Sequence, residues 1–184
     1  MKRNQKGFSL VELIVVLAIM SVLTTVGLLS FSLVTGQSVR SCASDLESFI
    51  SQTRIQAMSR ADASLAIYVK NDGVYATLTA SSNGTEFEID TQKIGKSSIT
   101  VKYTTDDGQT YTLQPLSGDK PTDAEKEDLN KTLVLGFDRS SGAFKQLLWW
   151  SGGTVNCTEI RLEGGSSPIK IILVPQTGKY YTEM

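Results

Sequence analysis

Glu12 is unusual because it places an ionisable carboxylate at the start of a long apolar stretch. Lys2, Arg3 and Lys6 precede it, and no charged residue follows it until after Val39. An ionised side chain in a membrane helix costs about 2.5–3.5 kcal/mol at the bilayer centre and less near an interface. Such residues usually have a partner, so the chemistry that Glu12 offers is ion pairing.

Cys42 and Cys157 are the two cysteines of the chain. Two thiols without a histidine cannot complete a four-ligand zinc site. In an exported protein an even number of cysteines permits one disulfide, which here would tie the N-terminal helix to a late strand. Alternatively, both are small buried residues, as free cysteines often are. The sequence leaves both interpretations open.

Catalytic chemistry has little support in the sequence. Histidine is absent, which removes the commonest general base, metal ligand and pH switch, and makes a Ser-His-acid system impossible. Asp106 and Asp107 are better explained by a turn before Gly108 than by a calcium site. A net charge of -1 gives no general electrostatic case for nucleic-acid binding. We therefore expect no enzyme, no cofactor and no metal.

The apolar stretch has the length of a membrane span. The uncharged run from Leu13 to Val39 exceeds the ~20 residues that cross a hydrocarbon core, and the basic residues before it favour a cytoplasmic N-terminus. A secretory signal has a shorter apolar core, about 7–15 residues, followed by a cleavage site of small residues. A plain membrane anchor fits the length but leaves Glu12 unexplained.

The residues around Glu12 supply a third explanation. The run Lys6-Gly-Phe-Ser-Leu-Val-Glu12 resembles the cleavage motif of type IV pilins and of the pseudopilins of type II secretion systems. In that family a prepilin peptidase cuts after the glycine and methylates the new N-terminal phenylalanine, and the apolar segment is kept. The resemblance thus implies a cut between Gly7 and Phe8 and N-methylation of Phe8.

The same resemblance gives Glu12 a role. The family's glutamate at this place pairs with the cationic N-terminus of a neighbouring subunit. A carboxylate or an ammonium group is unfavourable when it is buried alone in a low-dielectric helical bundle, but the two stabilise each other as an ion pair. The pairing therefore favours one register between subunits. The implied partners are the prepilin peptidase, other pilin or pseudopilin subunits, the membrane and an assembly platform in the inner membrane. No proline precedes Pro115, so the proline kink frequent in major pilins is missing.

Helical periodicity continues beyond the apolar run and predicts one helix from Phe8 to Arg60, about 80 Å long at 1.5 Å per residue. Its first half is apolar all round, and its second half is amphipathic and should cover a sheet. The predicted apolar stripe of that second half comprises Leu46, Phe49, Ile50, Thr53, Ala57 and Met58.

The rest of the chain has the pattern of a β-rich head. Asn71-Asp72-Gly73 between two β-type runs predicts a hairpin, Arg139–Gly142 predicts another, and 117–131 is a charged insertion with a short helix capped by Thr122. The predicted strands are Ala63–Lys70, Val74–Ala80, Glu86–Ile89, Ser98–Thr104, Gln109–Gln114, Thr132–Asp138, Ala143–Trp150, Cys157–Leu162, Ile169–Val174 and Lys179–Thr182. The fold class is α+β: a long N-terminal α-helix packed on an antiparallel β-sheet head, the pilin fold.

Features of the head extend the resemblance. Leu135–Phe144, Glu159–Leu162, Ile169–Val174 and the closing Thr177–Lys179 look like the head of minor pseudopilins of the general secretion pathway protein H type, and of the similar minor pilins of the FimT type. Trp149 and Trp150 point to opposite faces of a strand, so one ring is in the core and the other is either exposed for subunit contacts or covered by a loop.

Taken together, the sequence predicts a filament subunit. Residues 1–7 are a cytoplasmic leader, residues 8–39 a transmembrane and then filament-core helix, and residues 40–184 a head outside the cytoplasm. The subunit is a minor pilin or pseudopilin of a type IV pilus or type II secretion filament. The alternative is a minor pilin that binds DNA or a surface. Its basic C-terminal region is weak, because Lys170 and Lys179 stand beside Glu163 and Glu183.

Overall fold

The computed structural model describes residues 10–59, 62–82, 85–145, 155–164 and 167–183, without the side chains of 22–37. The helices are α1 (Leu10–Ser59) and α2 (Asp123–Glu127), and the strands are β1 (Asp62–Lys70), β2 (Gly73–Ser82), β3 (Thr85–Lys96), β4 (Thr100–Thr105), β5 (Thr110–Thr112), β6 (Thr132–Phe137), β7 (Phe144–Lys145), β8 (Cys157–Glu163), β9 (Ile169–Val174) and β10 (Lys179–Glu183). The predicted α+β class with antiparallel strands is confirmed. Gly7, Phe8, Arg60, Trp149 and Trp150 lie outside the described residues.

The strands form two sheets, whereas the sequence predicted one. The first sheet has the order β3-β2-β1-β6-β7 and the second has the order β10-β9-β8-β4-β5. The chain changes sheet at the short turn between β3 and β4, and returns to the first sheet for β6 and β7. These changes depend on the pairings β1–β6 and β4–β8, which join strands distant in sequence. Local turn signals carry no information about such pairings.

The two predicted hairpins are present. Asn71 and Asp72 form the turn between β1 and β2, with Lys70 opposite Gly73, and Tyr75 Oη donates to Asp72 Oδ2 at 2.6 Å. In the described part of the second hairpin, Phe137 pairs with Phe144. Strand alternation sends one set of side chains in each hairpin towards α1 and the other set to the opposite face.

The second half of α1 packs into the core between the sheets. Leu46, Phe49, Ile50, Thr53 and Ala57 are buried as predicted, and Thr53 Oγ1 satisfies its hydrogen bond by donating to Phe49 O at 2.7 Å. The stripe also extends towards the N-terminus through three further buried residues, Val39, Cys42 and Ala43.

Met58 was wrongly assigned to the stripe, because its side chain is 46% exposed. It lies in the last turn of α1, beside the β6–β7 turn, where an added Cβ on Gly142 would approach its sulfur to 2.8 Å. The helix ends there, so no further turn of α1 covers this side chain.

The charged insertion contains the predicted helix. Thr122 is the N-cap of α2: Glu125 N donates to Thr122 Oγ1 at 3.3 Å, and Thr122 N donates to Glu125 Oε2 at 3.0 Å. This reciprocal capping box satisfies two amide groups at the start of a helix that buries none of its residues.

Candidate assembly site

Glu12 lies in the first turn of α1, where a carboxylate interacts favourably with the positive end of the helix dipole. The side chain is exposed, as are all residues from Leu10 to Ser21. The structure therefore places Glu12 on an exposed helical surface.

The residues around Glu12 make this surface apolar on every side. Leu13, Ile14, Val15, Val16 and Leu17 are 56%, 56%, 50%, 52% and 60% exposed. Five consecutive residues of an α-helix point in all directions around its axis, because one turn takes about 3.6 residues. No face of this segment is therefore covered by the head, and its apolar surface is open to association.

The two predicted cleavage residues, Gly7 and Phe8, lie outside the described residues. The structure therefore brings Glu12 and the apolar segment together on one helix, and the cleavage and methylation of the N-terminus stay predictions. Trp149 and Trp150 also lie outside the described residues, so the exposure of one of their rings for subunit contacts stays a prediction.

Cys42 and Cys157 are free thiols in the structure, and both are buried in the core. Cys42 is on α1, where Gly95 of β3 packs against its sulfur. Burial, with the nearby charge of Asp45, raises the pKa of Cys42 to about 12. Burial likewise raises the pKa of Cys157, whose thiol donates to Glu159 O at 3.7 Å. The disulfide stays a prediction. In the structure the two cysteines are buried free thiols, which is the alternative interpretation of the sequence.

Two serines stand three residues before a lysine, a spacing found in some serine–lysine hydrolases, at Ser117–Lys120 and Ser167–Lys170. A catalytic lysine must lose its proton readily. The hydrogen bond that Lys120 Nζ donates to Glu88 Oε2 instead raises the pKa of Lys120, so Lys120 is held in its charged form. Lys170 lies on β9 directly opposite Glu183. The environment of Lys120 is therefore unlike that of a general base.

The acidic pair predicted to form a turn does so. Asp107 Oδ1 accepts from Thr105 Oγ1 at 2.6 Å and from Gln109 N at 3.1 Å, and Gly108 has φ 84°. Asp106 accepts from the backbone and side chain of Asn156. Within the described ranges, no group of three or more His, Cys, Asp or Glu residues is placed to hold a metal ion.

The basic residues of the second sheet are matched by acidic neighbours. Lys102 Nζ lies 2.7 Å from Glu163 Oε2, and Arg161 Nη2 lies 2.8 Å from Glu159 Oε1. Lys102, Arg161 and Lys170 form a row across β4, β8 and β9, and Lys170 lies opposite Glu183 of β10, so each cation of the row has an acidic residue beside it. The face is therefore not a basic surface for phosphate groups.

A row of hydroxyl groups, which was not predicted, lies on the face of the first sheet that points away from α1. Ser64 on β1, Thr77 and Thr79 on β2 and Thr91 on β3 are cross-strand neighbours there. A signal was present, because hydroxyl residues alternate with the apolar residues of these strands. Nothing in the sequence showed that the insertion covers this face.

The family model of the prokaryotic N-terminal methylation motif matches residues 2–28 of the chain. No curated protein and no solved structure matches the chain. In the part of the chain that the structure describes, no helix is long and apolar enough to cross a membrane. The matched residues include the Gly7–Phe8 step and Glu12, so the chain carries a type IV pilin-like prepilin signal.

Proposed function

We propose that the chain is a structural subunit, a minor pilin or pseudopilin, of a type IV pilus or type II secretion filament. The single observation that carries the proposal is the methylation motif at residues 2–28. Prepilin peptidase removes residues 1–7 and methylates Phe8. The subunit then leaves the membrane and enters the filament through the helix that begins at Phe8.

The exposed start of α1 supports this route. An apolar helical segment with no covered face is unfavourable in water and needs a membrane or neighbouring helices around it. Residues 8–39 would span the inner membrane before assembly and lie in the filament core afterwards. The head, residues 40–184, would stay outside the cytoplasm, with the second half of α1 buried in the core between its sheets.

Glu12 would fix the register between subunits. In the core of a helical bundle its carboxylate is stabilised by the ammonium group of a neighbour's methylated Phe8. Removing one partner of a buried ion pair costs about 3–5 kcal/mol, because the other charge stays buried. Glu12 therefore acts in assembly and not in catalysis. The assembly platform of the inner membrane and other pilin subunits are the partners that this role requires.

DNA binding is not favoured as a second function. The basic residues proposed for it are Lys170 on β9, which lies opposite Glu183, and Lys179, which shares β10 with Glu183. Glu163 lies at the end of the neighbouring strand β8. A protein that binds DNA through phosphate groups needs clustered positive charge.

The minor-subunit role rests on the missing proline and on the resemblance of the head to the general secretion pathway protein H and FimT types.

The cleavage is tested by mass spectrometry of the protein recovered from its native host. We expect a mature chain that begins with N-methylphenylalanine at residue 8, and an uncleaved chain for the Gly7→Val variant. Intact Met1 in sheared filament material, or a cut at any other bond, would show that the motif is not used.

Assembly is tested with Glu12→Ala in the same host. We expect normal membrane insertion but at least about tenfold less chain in the filament fraction, since ~1.4 kcal/mol of lost pairing already corresponds to tenfold. The matched control is Glu127→Ala, which removes an exposed acidic side chain from the head. Equal filament yields for the two variants would refute the role given to Glu12.

A further inference from the structure

Residues 115–131, the strap, cross the face of the first sheet that points away from α1. The ends of the strap are held together, because Gln114 N donates to Asn130 O at 2.7 Å and Lys131 Nζ donates to Pro115 O at 2.8 Å. Leu116 N donates to Val69 O at 2.9 Å, which joins the strap to β1. A surface loop with adjoining ends and its own packing is an Ω-loop, a class that frequently carries function.

Two ion pairs hold the far side of the strap to the edge strand β3. Lys120 Nζ binds Glu88 Oε2, and Lys126 Nζ lies 3.2 Å from Glu86 Oε2. Glu86 and Glu88 are two residues apart on the strand, so they extend from the same face of the sheet. The strap is thereby fixed along β1 and along β3, and it bridges β2, the strand between them.

A cavity of about 140 Å³ lies between the strap and the sheet. One water molecule needs roughly 10–15 Å³ on this measure, so the cavity holds several waters or one small organic molecule. Its walls come from strands of the first sheet and from the strap: Ser64, Ala66, Thr77, Thr79, Glu86, Glu88, Lys120, Pro121, Lys126 and Val134.

The floor of the cavity presents hydroxyl groups that are held in place. Ser64 Oγ and Thr79 Oγ1 are 2.8 Å apart, and Thr77 Oγ1 lies 2.8 Å from Thr91 Oγ1 and 3.2 Å from Tyr68 Oη. Each hydroxyl has one proton and two lone pairs. After these contacts Ser64, Thr77 and Thr79 each retain hydrogen-bonding capacity, and their neighbours fix their positions in advance.

The four charged side chains that line the cavity are paired with one another. The two carboxylates of Glu86 and Glu88 face the two ammonium groups of Lys126 and Lys120. Hydrogen bonding to Lys120 lowers the pKa of Glu88, and the same bond raises the pKa of Lys120, so both groups stay ionised at neutral pH. A charged ligand would find no net opposite charge, and it would compete with an ion pair already formed.

Apolar carbon atoms complete the lining. Ala66 and Val134 lie on neighbouring strands at paired positions, and Pro121 faces them from the strap. A ligand that fits this lining is neutral, carries several hydroxyl groups on its edges and has a face of C–H groups. Binding sites of this kind combine an apolar surface with a few placed polar groups.

We propose that the cavity under the strap binds one monosaccharide unit of a neutral glycan. The fixed hydroxyls of Ser64, Thr77 and Thr79 bind the edge hydroxyls of the sugar, the paired Glu and Lys side chains bind further hydroxyls, and Ala66, Pro121 and Val134 contact the C–H face. The site belongs to the head, so its occupancy does not depend on cleavage, methylation or assembly.

The test is a titration of the full-length protein in a zwitterionic detergent, because detergents with sugar headgroups would compete. Glucose, galactose, mannose and N-acetylglucosamine are the probes, and gluconate is the charged comparison for glucose. Ligand-observed NMR should show saturable binding of at least one neutral sugar, and gluconate should bind more weakly than glucose.

Two variants locate the site. Thr77→Val removes a hydroxyl without changing shape, and Ala66→Leu fills the cavity; each should weaken binding about tenfold or more, corresponding to ~1.4 kcal/mol. The control is Thr104→Val, which breaks a similar cross-strand hydroxyl pair with Thr110, 3.1 Å long, on the second sheet. Unchanged affinity in both cavity variants, equal binding of gluconate, or no binding of any sugar at millimolar concentration would overturn the proposal.

Discussion

Gly178 lies at the junction where the β9–β10 turn meets the β6–β7 turn. Its φ is +66°, and a Cβ added to it would lie 1.7 Å from Gly142 O, 2.8 Å from Gly142 C and 3.2 Å from Arg54 Nε. Arg54 Nη2 also donates to Thr177 O at 3.1 Å. Gly178→Ala therefore perturbs the place where both sheets meet the last turns of α1.

The cost of Gly178→Ala has two parts. A left-handed backbone conformation costs an L-residue about 1–2 kcal/mol. The contact with Gly142 is with backbone atoms, so rotating a side chain cannot relieve it, and overpacking of this kind costs about 1–3 kcal/mol. The sum is a loss of about 2–5 kcal/mol in the free energy of unfolding.

Gly108→Ala is the matched control. Gly108 also has a positive φ, +84°, but an added Cβ there meets no atom within 4 Å. This variant should lose only the conformational part, about 1–2 kcal/mol. The difference between the two variants, about 1–3 kcal/mol, therefore measures the close approach of the two turns.

The assay is urea unfolding of the full-length protein in detergent, followed by tyrosine and tryptophan fluorescence. The free energy comes from the midpoint and the slope of the transition, and an unchanged slope shows that the comparison is valid. Equal losses for Gly178→Ala and Gly108→Ala would mean that the turns are not in contact in solution, and the reasoning would fail.

Three further predictions concern the head. In the folded protein Cys42 and Cys157 should resist alkylation at pH 8, because burial raises the pKa of both thiols. After unfolding without reductant, mass spectrometry should find both cysteines alkylated. If neither cysteine is alkylated in the unfolded protein, the two form a disulfide. Hydrogen bonds from the Ser140 and Ser141 side chains lower the pKa of Asp138, so its contribution to stability is present above the usual Asp pKa of about 3.9 and is lost as pH falls further. The unfolding free energy of Asp138→Asn should then fall less steeply in acid than that of the wild type. Thr122→Ala removes the N-cap of α2 and should lower the local stability by about 0.5–2 kcal/mol. The loss should appear as faster amide hydrogen exchange in the strap. Equal exchange rates in the variant and the wild type would count against the capping box.

Local chemistry explains what could be predicted from the sequence. The β1–β2 hairpin was found because Asn71, Asp72 and Gly73 are turn formers between two β-type runs. The cap of α2 was found because threonine is a favoured N-cap residue at the start of a helix. In each case the residues that determine the structure are neighbours in the chain, so the pattern is complete in a short window.

Long-range pairing explains what could not be predicted. The division into two sheets depends on pairs such as Ser64 with Gly136 and Tyr103 with Ile160, whose members share no local pattern. The cavity was missed for the same reason: Lys120 reaches Glu88 only because the strap crosses the strands between them. For the assembly site, in contrast, a short motif carries the signal from Gly7 to Glu12.

The two ends of α1 have different surroundings, so a substitution at one end should affect assembly and a substitution at the other should affect the stability of the head. Ile50 and Leu46 are fully buried in the head, so changes there alter the unfolding free energy. Glu12 and the apolar residues around it are exposed, so their environment is set by whatever surrounds the helix outside the head. Glu12→Ala should therefore leave the urea midpoint of the head unchanged, while Gly178→Ala lowers it. A shared loss of head stability in both variants would mean that the N-terminal segment helps to hold the head together, and a filament defect of Glu12→Ala could then no longer be attributed to pairing between subunits.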